Sequence, residues 1–180
     1  MKNLLRISLL SFTTVLLLSA CRADENMDVS STAPVTTVGQ AILAAEANGT
    51  IPRLNHDDTI AGPDTDNNSI RDDIDAYIAT LPYTEVQKKA VQQNARVLAT
   101  TLTVDKTDKV ALLAVSSQID RAIDCIHDQF LSEPGRASKL SSDNEKMIVN
   151  TKIRFIEYEK FNSALSGGVF ASPTGDSCDK

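Results

Sequence analysis

Between Leu112 and Phe130 apolar residues return every three or four positions, through Val115, Ile119, Ile123 and Ile126. That period belongs to a helix with one buried face, because side chains three and four apart stand over one another, whereas a half-buried strand would alternate. Three further stretches carry the same signature. Ile70, Ile74, Tyr77, Ile78 and Leu81 predict a helix over 70–81, stopped by Pro82, which removes a backbone donor and restricts its predecessor. Thr84 with Gln87 three residues on is a capping-box pattern, and Val86, Ala90, Val91, Leu98 and Leu102 extend an apolar face to about Thr103. Thr107 then opens the helix that contains Leu112, and Pro134 and Gly135 end it. Ser142 and Glu145 cap a last helix, in which Ile148, Val149, Ile153, Phe155, Ile156, Tyr158, Phe161 and Leu165 cover a wide face before Gly167 and Gly168. Four amphipathic helices on short connections predict an all-α domain, an antiparallel bundle. An alanine-rich stretch at 40–47, closed by Asn48 and Gly49, has room for two more helical turns.

The first twenty residues have a different character. Lys2 and Arg6 precede an apolar run at 9–18, too short to span a bilayer, and then come Leu18, Ser19, Ala20 and Cys21. A small-residue pair before a cysteine, directly after an apolar core, resembles the lipobox of bacterial lipoproteins. The resemblance implies that residues 1–20 are a signal peptide and that Cys21 takes a diacylglycerol and becomes the mature N-terminus. It also implies a cell-envelope location. In enteric bacteria aspartate after the cysteine retains such proteins at the inner membrane, and Arg22 in that place favours the outer membrane. Residues 21–38, with Ser30, Ser31, Thr32, Pro34, Thr36 and Thr37, read as a tether on the order of 20 Å from end to end.

Removing Lys2 and Arg6 with the signal leaves 16 basic against 24 acidic residues, a charge of −8. A surface so acidic does not seek nucleic acid. Residues 39–180 are enough for one helical domain with a real core, though it lacks tryptophan. With Cys21 committed to lipid, Cys125 and Cys178 are left as an even pair in an oxidising compartment, which predicts a disulfide between them.

Residues 64–75 read DTDNNSIRDDID. Carboxylate or amide oxygens stand at loop positions 1, 3, 5, 9 and 12, with a backbone carbonyl at 7, and a hard cation wants six to eight oxygens delivered in that way. The same letters also suit a plain helix start, since aspartate and asparagine favour N-caps and acidic first turns complement the macrodipole. The segment resembles the calcium loops of thrombospondin type 3 repeats and, more loosely, of dockerins and EF-hands. That resemblance implies Ca2+ held by the side chains of Asp64, Asp66, Asn68, Asp72 and Asp75 and by the carbonyl of Ile70. Two letters depart from it: Ser69 stands where glycine makes the sharp turn, and Asp75 is shorter than the glutamate of an EF-hand. Gly62 and Pro63 preclude an entering helix, so the expectation is a solitary loop feeding one helix. Leu54, Asn55 and residues 59–62 ahead of the loop, with helices behind it, resemble proteobacterial lipoproteins that have no assigned activity.

Two histidines remain. His127 lies two residues from Cys125, off its helical face and without metal-ligand spacing, and reads as a solvated or core-edge side chain. His56 beside Asp57 and Asp58 could serve as a base, yet no GxSxG elbow accompanies it. The expectation is a calcium-stabilised, lipid-anchored envelope protein that binds or supports a partner and is not an enzyme. The rival class is an envelope hydrolase assembled from residues distant in sequence.

Overall fold

The computed structural model describes residues 37–168 and 174–180; Cys21, the signal segment and most of the expected tether lie outside them. The described residues form six helices and no strand: α1 (Val38–Ala47), α2 (Asp72–Thr80), α3 (Glu85–Thr103), α4 (Lys109–Gln129), α5 (Pro134–Ile148) and α6 (Lys152–Leu165). None is long and apolar enough to cross a membrane. The chain is all-α.

Local chemistry explains most boundaries. Thr84 and Gln87 form the reciprocal capping box read from the sequence, and Thr37 with Gln40 forms a second one, so α1 starts at Val38 rather than at residue 40. Asp108, not Thr107, caps α4: its carboxylate accepts from the amides of Val110 and Ala111, while Thr107 donates to Asp105 in the preceding turn. Pro134 ends nothing. It occupies the first turn of α5, where a missing N–H costs no helical bond and its fixed φ suits the start. Ser142 therefore lies inside α5, and the wide face expected of a fourth helix is divided between α5 and α6.

Helix α3 is central and touches α2, α4, α5 and α6. The main core gathers Ile42, Ile51, Leu54, Ile70, Ile74 and Ile78 against Val91, Leu98 and Leu102 of α3 and against Met147 and Ile148. A second cluster packs Phe161 of α6 on Val97, Leu112, Val115 and Ala122. The periodic residues of α4 thus serve two cores: Leu112 and Val115 face one, Ile126 and Phe130 the other.

The polypeptide breaks between α5 and α6 at Asn150. Its side-chain carbonyl accepts from both Arg71 (3.1 Å) and Arg154 (2.8 Å), and its amide donates to the carbonyl of Asn55 (2.9 Å). Arg154, 0% exposed, also donates to the carbonyls of Asn55, Thr59 and Ile60 and pairs with Asp57 at 2.8 Å. Burial, with the Arg71 cation near it, pulls the Arg154 pKa below its ordinary value, while Asp57 and Asp73 oppose that shift. The long irregular connection from α1 to α2 thereby has the carbonyls of Asn55, Thr59 and Ile60 satisfied by guanidinium donors instead of by a ladder. Where the connection crosses Arg71 only glycine fits. Gly62 has φ +76, and a Cβ there would lie 2.2 Å from Cδ of Arg71.

Cys125 of α4 and Cys178 of the C-terminal segment are joined at an S–S distance of 2.05 Å, the pairing that cysteine parity predicts. The segment is also held by hydrogen bonds to α3 and α4.

Candidate metal centre

Residues 64–71 curl ahead of α2, whose first turn holds residues 72–75, and the curl is closed by a bond from the amide of Asp72 to the carbonyl of Pro63, 2.9 Å. Two residues inside the curl take the left-handed region, Asn67 at φ 57 and Ser69 at φ 66. Asparagine tolerates that region, whereas serine is strained in it. The strain is met by acceptors: Asp64 takes the amides of Asn68 (3.1 Å) and Ser69 (2.9 Å) on its two oxygens.

This curl brings Asp64, Asp66 and Asp72 together, with one carboxylate oxygen of each lying within 4.8 Å of the others. Asp64 and Asp72 are half-buried and Asp66 is exposed. The other three expected ligand residues adjoin this cluster without completing it. The Asn68 amide nitrogen donates to Asp66 (3.0 Å) and Asp75 (3.2 Å), and its carbonyl oxygen accepts from the amide of Ile70 (2.8 Å). Asp75, in the first turn of α2, also accepts from Gln92 of α3 at 2.7 Å. The Ile70 side chain is buried in the main core and fixes the loop's exit.

The paired aspartates at the start of α2 are divided. Asp72 faces the cluster, where the hydroxyl and amide of Thr65 donate to it and hold its carboxyl below the usual range. Asp73 turns the other way, to Arg71 at 2.6 Å and to the amide of Asn55. Arg71 is 3% exposed and carries its charge into the polar core, so it does not neutralise the loop that contains it. It is also the N-cap residue of α2 and makes no side-chain cap bond. Sequence reading missed Thr65, Gln92 and Arg96, which hold the loop from outside its ligand positions; Arg96 of α3 donates to the carbonyl of Asn68 at 3.0 Å. Thr65 could have been noticed as a side chain able to cap a carboxylate. Gln92 and Arg96 carry no local signal.

Compared with known proteins, the chain matches no family model, no curated protein and no solved structure. Its site must be read from its own geometry.

The histidines lie elsewhere. His56 pairs with Glu46 at 2.9 Å and ties the connection back to α1, and His127 stands half-buried in the last turn of α4. Neither adjoins the carboxylate cluster.

Proposed function

We propose that the chain is a calcium-stabilised protein of the cell envelope, anchored through lipid at Cys21 to the outer membrane, and that it acts as a binding or structural module rather than as an enzyme. The observation that carries this reading is the convergence of Asp64, Asp66 and Asp72 within 4.8 Å. Like charges so close repel, and a hard divalent cation with oxygen ligands is the species that relieves them. In this reading Asn68, after turning its amide oxygen toward the ion, Asp75 and the carbonyl of Ile70 would supply the remaining oxygens. Two features support calcium over a simple helix start. Ser69 takes the left-handed turn that calcium loops assign to glycine, and the N-cap of α2 is Arg71 rather than an aspartate. In this reading the helices form an antiparallel bundle that presents a surface to an envelope partner. The ion acts on stability and not as a switch, since no helix enters the loop and the bond to Pro63 already closes it.

Melting curves of the chain in chelator and in millimolar calcium test the reading. Extracellular calcium modules bind at roughly 0.1 to 1 mM, so about 1 mM calcium over a Kd near 0.1 mM adds about 1.4 kcal/mol, a rise of a few degrees in Tm with little change in helix content. Asp64→Ala should abolish the rise. A wild-type midpoint that calcium does not move would leave the aspartates as a helix start and nothing more.

The anchor rests on the tetrad Leu18 to Cys21 and has its own test. Only the Cys21 thiol accepts lipid there, so Cys21→Ser should lose all incorporation of a palmitate analogue in cells. Unchanged labelling would remove the anchor.

A further inference from the structure

The C-terminal segment 174–180 lies against α3 and α4 as a bound peptide would. Gln93 of α3, 4% exposed, grips its main chain at two points: the amide nitrogen donates to the carbonyl of Ser177 (2.9 Å) and the amide oxygen accepts from the N–H of Asp179 (2.9 Å). Arg121 of α4 donates to a third main-chain group, the carbonyl of Asp176, at 3.0 Å. Side chains add hydrogen bonds from the Ser177 hydroxyl to Asp128 (2.8 Å) and from the Gln129 amide to the Cys178 sulfur (3.8 Å), and an ion pair between Arg96 and Asp179 (3.2 Å). Cys178 then crosses to Cys125, which is 1% exposed at the floor. A buried glutamine reading the C=O and N–H on either side of Cys178 recognises backbone, and any chain carrying this segment offers the same groups.

We infer that the groove between α3 and α4 is a peptide-binding site, filled in one chain by its own residues 174–180, which in chains with an open Cys125–Cys178 bond takes the same segment from a second copy and closes on it by an intermolecular disulfide. The chemistry is thiol–disulfide exchange with a small thiol such as glutathione. A glutathione thiolate attacks Cys178, the more exposed sulfur, and Cys125 leaves as a thiolate that takes a proton. A second glutathione thiolate then attacks the glutathione sulfur of the mixed disulfide, so Cys178 leaves as a thiol and the two glutathiones become a disulfide. Closure on the second copy runs in reverse: Cys178 of one chain attacks glutathione disulfide and releases glutathione. Cys125 of the other chain then displaces the second glutathione. Within one chain the tether gives the segment a high local concentration, so exchange between copies shows when self-closure is blocked.

The test mixes two full-length chains in detergent, one carrying Cys125→Ser and the other Cys178→Ser, in a glutathione redox buffer. Each alone cannot form the bond, so any peptide pair joined through Cys125 and Cys178 in a non-reduced digest comes from two copies. The expected result is that this pair forms, and forms about tenfold less when the Cys178→Ser chain also carries Gln93→Ala, the loss for two neutral hydrogen bonds. No mixed pair between chains that keep their helical circular dichroism overturns the proposal, and so does a yield indifferent to Gln93. Should either variant lose its helices, wild-type chains with and without heavy isotope are reduced together and reoxidised at rising concentration. Mixed-isotope Cys125–Cys178 pairs that increase with concentration are expected, and their absence overturns it equally.

Discussion

Arg154→Met should lower the stability of the domain by about 3 to 5 kcal/mol, a large part of the total of about 5 to 15 kcal/mol typical of a domain. Methionine keeps much of the volume, so the effect isolates the guanidinium. Its loss strips donors from the buried side-chain carbonyl of Asn150 and from the part-buried carbonyls of Thr59 and Ile60, all met by a side chain with 0% exposure. Asp57 contributes less, because its side chain is 38% exposed and water can replace the lost partner. Arg154→Lys should recover under half of the loss: one ammonium cannot span acceptors that lie on several sides of a planar fork. Urea unfolding measures both variants. Protease susceptibility of residues 48–62 should rise with the methionine variant, since that connection has no ladder of its own. A change under about 1 kcal/mol would mean that the connection is held by its apolar residues Ile51 and Leu54 alone.

Removing the disulfide with Cys125→Ala and Cys178→Ala together should cost up to about 4 kcal/mol, the chain-entropy value for a bridge between residues 53 apart in sequence. At this size that is a fall of about 8 to 16 °C in Tm. The figure is an upper one because the unfolded chain retains structure, and because Gln93, Arg121 and Arg96 still hold the segment without the bond. Thermal melts with and without reductant give the check: the reductant should lower the wild-type midpoint toward that of the variant and leave the variant unmoved. A reductant effect of equal size on both would assign the change to something other than this bridge.

Local patterns suffice where one element answers to its own residues. Ile74 and Ile78 are buried in α2 as their spacing requires, and Thr84 with Gln87 closes the start of α3, because a cap acts within one turn and needs no distant partner. The capping box of Thr37 and Gln40 is equally legible and shows that α1 begins earlier than its alanines suggest. Pro134 is ambiguous in a way that local rules cannot resolve. A proline that forbids helix continuation is also the best first residue of a new helix, and nothing in its immediate neighbours separates the two roles.

The sequence by itself determined a helical domain, the capped start of α3, the acidic curl leading into α2 and the pair of cysteines, since periodicity, caps and composition are properties of neighbours along the chain. Tertiary structure alone decided the rest. Asn150 stands at the break of the apolar pattern into α5 and α6, where its amide answers Arg71 and Asn55, residues far away in sequence, together with Arg154 one turn on. Arg71 looks from its neighbours like a counter-charge within the acidic loop, yet it is drawn into the core by Asn150 and the carbonyl of Met147, and takes Asp73 with it. The charge left facing the cluster of Asp64, Asp66 and Asp72 therefore depends on where buried donors find acceptors. A buried guanidinium must satisfy its N–H groups wherever the fold offers oxygens, and no local pattern encodes that choice.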